Sequence, residues 1–238
     1  MLYDRLLKRR PGIFGLFDPD RSPDLNRLKG TLDDLSAILI GTSYLRNQDL
    51  ESFIDQIRAT TSAPIIIFPG GSNQIAKNAD GILFLSLLSG RNPQYLIGDQ
   101  VRAAFTIKRS RLEVIPTGYL LIEGGSYPSV EYISNTRPIP RNKPEIAQAH
   151  ALAAQYLGMK FVYLEAGSGA HLPVPTEMVK AIRSTISIPI LVGGGLKTMD
   201  DVKKRLEAGA DFIVIGTLIE ENPDMFKDII KGVKERRR

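Results

Sequence analysis

Apolar residues fall along this chain in short unbroken runs, eight of them, at residues 13–18, 37–41, 65–68, 81–86, 113–117, 161–165, 188–192 and 212–216. Most are continuous, not alternating, and rich in β-branched residues, the pattern of parallel strands buried on both faces. Between most of them the period lengthens to that of a helix. Residues 49–59 repeat Leu50, Phe53, Ile54 and Ile57, and residues 144–157 open on Pro144 and continue with Ile146, Ala149, Ala153 and Leu157. Thr198-Met-Asp-Asp201 reads as a capping box with Asp in the Glu/Gln position, ahead of Val202 and Leu206. This alternation predicts an α/β protein, a single (β/α)8 TIM barrel over residues 1–238, with no composition break to mark a linker.

Two stretches depart from the alternation. Residues 65–81 leave room for only a stub of third helix, at 73–77, so a thin wall is expected there. After the fifth strand comes a long insert, 118–143, itself β-like at 119–122 and 130–133; loops of that length in a compact domain usually carry function. The chain also echoes itself. Ser62-Ala-Pro-Ile-Ile-Ile-Phe-Pro-Gly-Gly71 resembles Ser187-Ile-Pro-Ile-Leu-Val-Gly-Gly-Gly195, and each leads to an Ala-Asp before the next strand. A duplicated half-barrel would place these units opposite each other, with Gly70-Gly71-Ser72 as a second anion cradle.

Composition narrows the class. The chain has 238 residues and no cysteine, which excludes disulfides and thiolate metal sites and suits a reducing cytoplasm. No run of about 18 apolar residues and no signal-like segment occurs, so a cytoplasmic location is expected. The formal charge of +5 favours anionic partners, but much of the excess sits at Lys8, Arg9, Arg10 and the tail Lys234-Glu-Arg-Arg-Arg238. These termini read as solvated charge or as attraction to an anionic lipid surface, a peripheral membrane association. Nucleic acid is not an expected partner, because no recognition motif or aromatic-basic interleaving occurs.

The chemistry concentrates where strands run into glycine. Tyr163-Leu-Glu-Ala-Gly-Ser-Gly169, Val192-Gly-Gly-Gly195 and Gly216-Thr217 each end an apolar run before a helical pattern. Bare amides at successive strand ends suggest one cradle for a phosphate. Glu165 inside it would repel a phosphate and is therefore expected to face a hydroxyl or a proton in transfer. Asp18-Pro-Asp20, after the first strand, reads equally as a turn and as a carboxylate able to reach Mg²⁺. Gly41-Thr-Ser43 offers hydroxyls near it. His150 falls on a helix face as a packing or surface residue, and His171 stands behind the glycine loop. Residues 84–88 and 95–97 read as core or as the lining of an apolar site.

The ordered set of motifs carries a resemblance. Phe17-Asp-Pro-Asp20, Ser86-Leu-Leu-Ser-Gly-Arg-Asn-Pro-Gln-Tyr-Leu-Ile-Gly98, Ile115-Pro-Thr-Gly-Tyr119, Ser134-Asn-Thr-Arg-Pro-Ile-Pro140, Tyr163 to Gly169, Val192 to Gly195 and Gly216-Thr217 together resemble the geranylgeranylglyceryl phosphate synthase family. These are the archaeal ether-lipid prenyltransferases, with bacterial heptaprenylglyceryl phosphate synthase relatives. The resemblance implies Mg²⁺-dependent transfer of a geranylgeranyl group from geranylgeranyl diphosphate to the 3-hydroxyl of sn-glycerol 1-phosphate. Alternatives are the same chemistry with a donor of different length, or another phosphate-binding TIM-barrel enzyme. Carried over by motif, Asp18 and Ser43 match the metal positions. Tyr163, Leu164, Glu165, Ala166, Gly167, Ser168, Gly169, Gly194, Gly195, Gly216 and Thr217 match the glycerol phosphate site, with Glu165 and Tyr163 as the catalytic pair. The chain departs from the common pattern at Thr42, which adds bulk beside the metal positions, and at Arg21, where Lys often follows Asp-Pro-Asp. A homo-oligomer, dimer or hexamer, is also implied.

Overall fold

The computed structural model describes residues 1–21, 23–46 and 49–236, so Arg237 and Arg238 of the basic tail lie outside the described residues. Among the described residues, eight parallel strands close into a barrel in chain order. They are β1 (Gly12–Phe17), β2 (Ala37–Ile40), β3 (Ile65–Ile67), β4 (Gly81–Leu87), β5 (Glu113–Leu121), β6 (Phe161–Glu165), β7 (Ile190–Gly193) and β8 (Phe212–Ile215). Every predicted run overlaps one of them. The helices, in chain order, are α1 (Leu2–Leu7), α2 (Leu25–Leu28), α3 (Leu50–Arg58), α4 (Asp99–Ser110), α5 (Ser129–Ser134), α6 (Pro144–Tyr156), α7 (Thr176–Arg183), α8 (Met199–Glu207), α9 (Thr217–Glu221) and α10 (Pro223–Glu235). Among them no helix is long and apolar enough to cross a membrane.

Because strand side chains alternate between faces, the buried residues sort into two cores. One face of the strands joins the helices: Ile38, Ile40, Val162, Leu164, Val192 and Ile213 pack in one cluster with Ile54, Ile57, Val179 and Phe226. The other face fills the barrel, where Phe14, Leu39, Ile66, Ile115, Phe161, Tyr163 and Phe212 form a separate cluster. Leu2 and Leu6 of α1 join that inner cluster from the amino-terminal end of the barrel. The Tyr3 ring lies 5.2 Å from Phe161, and Glu113 accepts the amide of Tyr3 at 2.8 Å. One end of the barrel is thus plugged, and the carboxyl ends of the strands are left for chemistry.

The capping box of α8 forms as expected: Thr198 Oγ1 accepts the Asp201 amide at 3.1 Å, and Asp201 Oδ2 accepts the Thr198 amide at 3.0 Å. The internal echo is also physical. Asp80 accepts the Ile65 amide at 2.7 Å and Arg58 of α3 at 2.9 Å, while its carbonyl accepts the Glu113 amide at 3.3 Å. Asp211 repeats each bond half a barrel away, accepting the Ile190 amide at 2.9 Å and Arg183 of α7 at 3.2 Å, with its carbonyl on the Gly12 amide at 3.1 Å. Each aspartate ties a helix end, the strand that follows it and the strand two further on.

The structure corrects four expectations. No helix forms at 73–77; residues 68–80 run as turns pinned by buried Gln74, whose Nε2 donates to the Thr42 carbonyl at 2.9 Å. Gln74 Oε1 also accepts the Gly70 amide at 3.1 Å, so that amide is already taken, and Gly70, Gly71 and Ser72 line a pocket walled mainly by apolar side chains. Residues 119–121 continue β5, paired with β4 and β6, and the insert begins later than expected. Residues 130–133 lie in α5, where three-residue spacing puts Val130 and Ile133 on one face, lining an apolar pocket. Smaller shifts occur at strand ends: β1 stops at Phe17, leaving Asp18 just beyond it, and β7 starts at Ile190.

Candidate functional site

At the carboxyl ends of the strands lies a cavity of about 540 Å³. Asp18, Ser43, Tyr163, Glu165, Ser168, Gly169, Gly194, Gly195, Gly216 and Thr217 all line it, bringing together residues from both ends of the chain. Leu164, Ala166 and Gly167 do not. Leu164 and Ala166 pack into the outer core, and the Gly167 amide is taken by Glu165. Asp18 and the glycine ends of β6, β7 and β8 therefore share one chamber.

Local geometry explains how the β6 end is built. Tyr163 and Glu165 are two apart on one strand, so both point inward, and the Tyr163 hydroxyl donates to Glu165 Oε2. Glu165 Oε1 accepts the Gly167 amide at 2.7 Å. That backbone needs glycine twice. Gly167 has φ +102°, and Gly194 has φ +81° with an added Cβ falling 2.7 Å from the Gly167 amide and against the Glu165 carboxylate. Glycine at 194 keeps the carboxylate and its amide partner in contact.

The electrostatics are unusual for a carboxylate at a cavity wall. Burial pushes the Glu165 carboxyl up to about 6, outweighing the downward pull of the Tyr163 and Gly167 hydrogen bonds. Burial also raises the phenols of Tyr163 and Tyr119 well above the ordinary value, with the Glu165 charge adding to the effect. Both phenols are protonated at neutral pH, and that of Tyr163 donates to Glu165. Glu165 is positioned to take a proton, with Tyr163 orienting it.

A second pocket opens beside the first, a space of about 120 Å³ walled mainly by apolar side chains. Its walls come from β4 (Ile82, Phe84, Leu87), α4 (Ala103, Ile107), Tyr95 and α5 (Val130, Ile133). The missing third helix leaves room for it, and the residues at 84–88 and 95–97 that read as core or lining supply part of its wall. Thr42, Ser43, Phe68, Tyr119 and Val130 line both spaces. The Phe68, Tyr119 and Tyr163 rings touch at the junction, with centroids 5.3–6.3 Å apart. Sequence reading did not place Phe68 or Tyr119 in the site. The signal for Tyr119 is its register: it pairs directly with Tyr163 across β5 and β6.

Asp18 Oδ1 accepts the Asp20 amide at 2.9 Å, so the turn reading is realised, and Oδ2 stands 3.8 Å from Arg21 Nε. Four carboxylates (Asp18, Glu165, Glu220, Glu221) and two cations (Arg21, Lys197) line the larger cavity. Among the described residues there is no group of three or more His, Cys, Asp or Glu able to hold a metal by themselves. A cation here would take few protein oxygens and complete its shell with phosphate oxygens and water, which suits Mg²⁺. His150 is half-buried on α6 with Nδ1 2.7 Å from the Ile146 carbonyl, and His171 is exposed outside the cavity wall.

Comparison with known proteins agrees with this arrangement. The PcrB family profile matches residues 5–234. Geranylgeranylglyceryl phosphate synthase of Thermococcus gammatolerans is 45% identical over 223 residues, covering 90% of this chain and 86% of the relative. The Flavobacterium johnsoniae protein of the same name is 46% identical over 215 residues, covering 89% and 88%. Among solved structures, (S)-3-O-geranylgeranylglyceryl phosphate synthase from Thermoplasma acidophilum, in complex with its substrate sn-glycerol-1-phosphate, superposes with a TM-score of 0.89 at 34% identity, covering 99% and 98%.

Proposed function

The chain belongs to the PcrB family and is a prenyltransferase, and from that premise we propose that it joins a geranylgeranyl group to the 3-hydroxyl of sn-glycerol 1-phosphate. The observation that carries this reading is the junction. An apolar pocket and a roomier cavity with charged groups in its wall share Ser43, Phe68 and Tyr119, within reach of one buried carboxylate. A lipid chain laid in the first and a phosphorylated alcohol held in the second bring C1 of the prenyl group to the glycerol oxygen.

In this reading the strand ends at Gly169, Gly194, Gly195 and Gly216 hold the phosphate. Glu165, steadied by Tyr163, accepts a hydrogen bond from the glycerol 3-hydroxyl and takes its proton as the new C–O bond forms. The bond from C1 to the diphosphate breaks, and the diphosphate leaves with its electron pair. Asp18 and Ser43 would hold Mg²⁺ together with diphosphate oxygens, and the ion would neutralise charge on that leaving group. An acid-rich lining facing two anionic substrates supports the need for such a cation. Burial of the chain at ~0.8 kcal/mol per CH₂ gives the donor most of its affinity. Positioning supplies much of the acceleration.

Two associations belong to the proposal: copies of the chain self-assemble, read by light scattering, and the basic termini attract anionic lipid, read by vesicle flotation. The reaction itself is tested by incubation with both glycerol phosphate enantiomers and with donors of graded length. The reading expects the geranylgeranyl donor with sn-glycerol 1-phosphate to be preferred. Preference for a longer donor would assign the chain to the heptaprenyl chemistry of its bacterial relatives.

A further inference from the structure

Of the two cations lining the polar cavity, Arg21 borders Asp18, whereas Lys197 lies past the β7 glycines on the side read as holding glycerol phosphate. The Arg21 Nη1 donates to Glu220 on α9, and its Nε stands 3.8 Å from Asp18 Oδ2. The guanidinium is about half exposed and Glu220 is 23% exposed. Such a pair contributes little to folding, on the order of 0–1 kcal/mol, and joins the loop after β1 to α9 at the cavity wall. Its position, beside the carboxylate expected to meet the leaving group, calls for another use.

We propose that Arg21 is the residue that receives the departing diphosphate, and that Glu220 is its resting partner, holding the guanidinium until the leaving group's charge displaces it. The inference rests on the prenyl transfer reading. Its physical basis is competition. Glu220 offers one negative charge, whereas diphosphate offers several, on oxygens that match the planar fork of the guanidinium. Parking Arg21 on Glu220 also holds its Nε 3.8 Å from Asp18 Oδ2, an ion pair longer than a hydrogen bond. Arginine, with donors pointing in two directions, spans Glu220 and the Asp18 side at once; a lysine carries a single ammonium and cannot.

The test titrates inorganic pyrophosphate, with magnesium present, into wild type, R21K, R21M and E220Q, by calorimetry and as an inhibitor of prenyl transfer. R21M is expected to weaken pyrophosphate binding about tenfold, the loss of one charge-assisted hydrogen bond. R21K falls between, E220Q binds severalfold more tightly, and KM for glycerol phosphate stays within about twofold in all three. Unchanged pyrophosphate binding in both R21M and E220Q overturns the assignment, as does an equal loss of glycerol phosphate affinity in R21M. Should R21M fail to fold, as seen in its melting curve, R21K and E220Q decide the matter alone. Wild type that forms no ether product defeats the prenyl transfer reading instead, and calorimetry still reports on Arg21.

Discussion

At the scale of single residues, the account turns on Glu165. Its carboxyl is raised to about 6 by burial, so at neutral pH it is mostly ionised and ready to accept a proton. Activity with saturating substrates is expected to rise with pH through about 6, and E165Q is expected to flatten that rise. E165Q should lower kcat at least about 100-fold while changing glycerol phosphate affinity only slightly; equal losses in both would remove the proton-accepting role. The same shift makes a stability prediction. The folded protein holds this proton more tightly than the unfolded chain, so the protonated carboxyl contributes stability below pH 4.5 that is lost as pH rises through about 6. Wild type should lose about 2 kcal/mol relative to E165Q across that window, measured by denaturant unfolding at a series of pH values. A constant difference would mean that Glu165 is not desolvated. Glu165 stood out in the sequence as a carboxylate among phosphate-binding glycines. Tyr119, which lines the same cavity, did not, because only the β5–β6 register brings it beside Tyr163.

At the scale of elements, the glycine ends and α4 make opposite demands. Gly194 has no room for a side chain between Glu165 and the Gly167 amide. G194A should therefore destabilise the fold by about 1–3 kcal/mol and weaken glycerol phosphate binding; a normal melting curve with normal KM would show the close approach to be irrelevant. Ala103, on the buried face of α4, presents a small side chain to the apolar pocket. A103F should cut kcat/KM for the geranylgeranyl donor about tenfold or more, while a shorter donor stays within about threefold, because the added ring takes only the volume of the distal chain. Equal loss for both donors would place the chain elsewhere. The strands were legible because parallel strands buried on both faces leave continuous apolar runs. Residues 130–133 were not, since Val130, Tyr132 and Ile133 around a single Glu131 fit a strand and one turn of helix equally well. Their side chains settle into the helical form because that form presents Val130 and Ile133 to the pocket.

At the scale of the whole molecule, the barrel is two similar halves with different uses. Asp80 and Asp211 make matching ties to Ile65 and Ile190, and each half depends on its own aspartate. D80A and D211A should each lower unfolding free energy by about 2 kcal/mol, D211A by more, since Asp211 also holds Arg10 at 3.1 Å. The two effects should add, being on opposite sides of the barrel. Wild-type stability in both variants would make the echo a coincidence of sequence. That echo was readable in the chain, but its consequence was misread at one place. Gln74 takes the Gly70 amide, and Gly70, Gly71 and Ser72 line the apolar pocket, so the β3 half gives its space to that pocket while the β7 glycines line the larger cavity. The pairing of Arg21 with Glu220, 199 residues apart, was beyond any local pattern. The measurement that reaches the central claim most directly is mass-spectrometric detection of product from geranylgeranyl diphosphate and sn-glycerol 1-phosphate incubated with the purified chain. The account predicts an ether in which the prenyl group is joined to the glycerol 3-oxygen, with one diphosphate released per ether. Absence of that ether with every prenyl donor tried, or release of free prenyl alcohol alone, would contradict it.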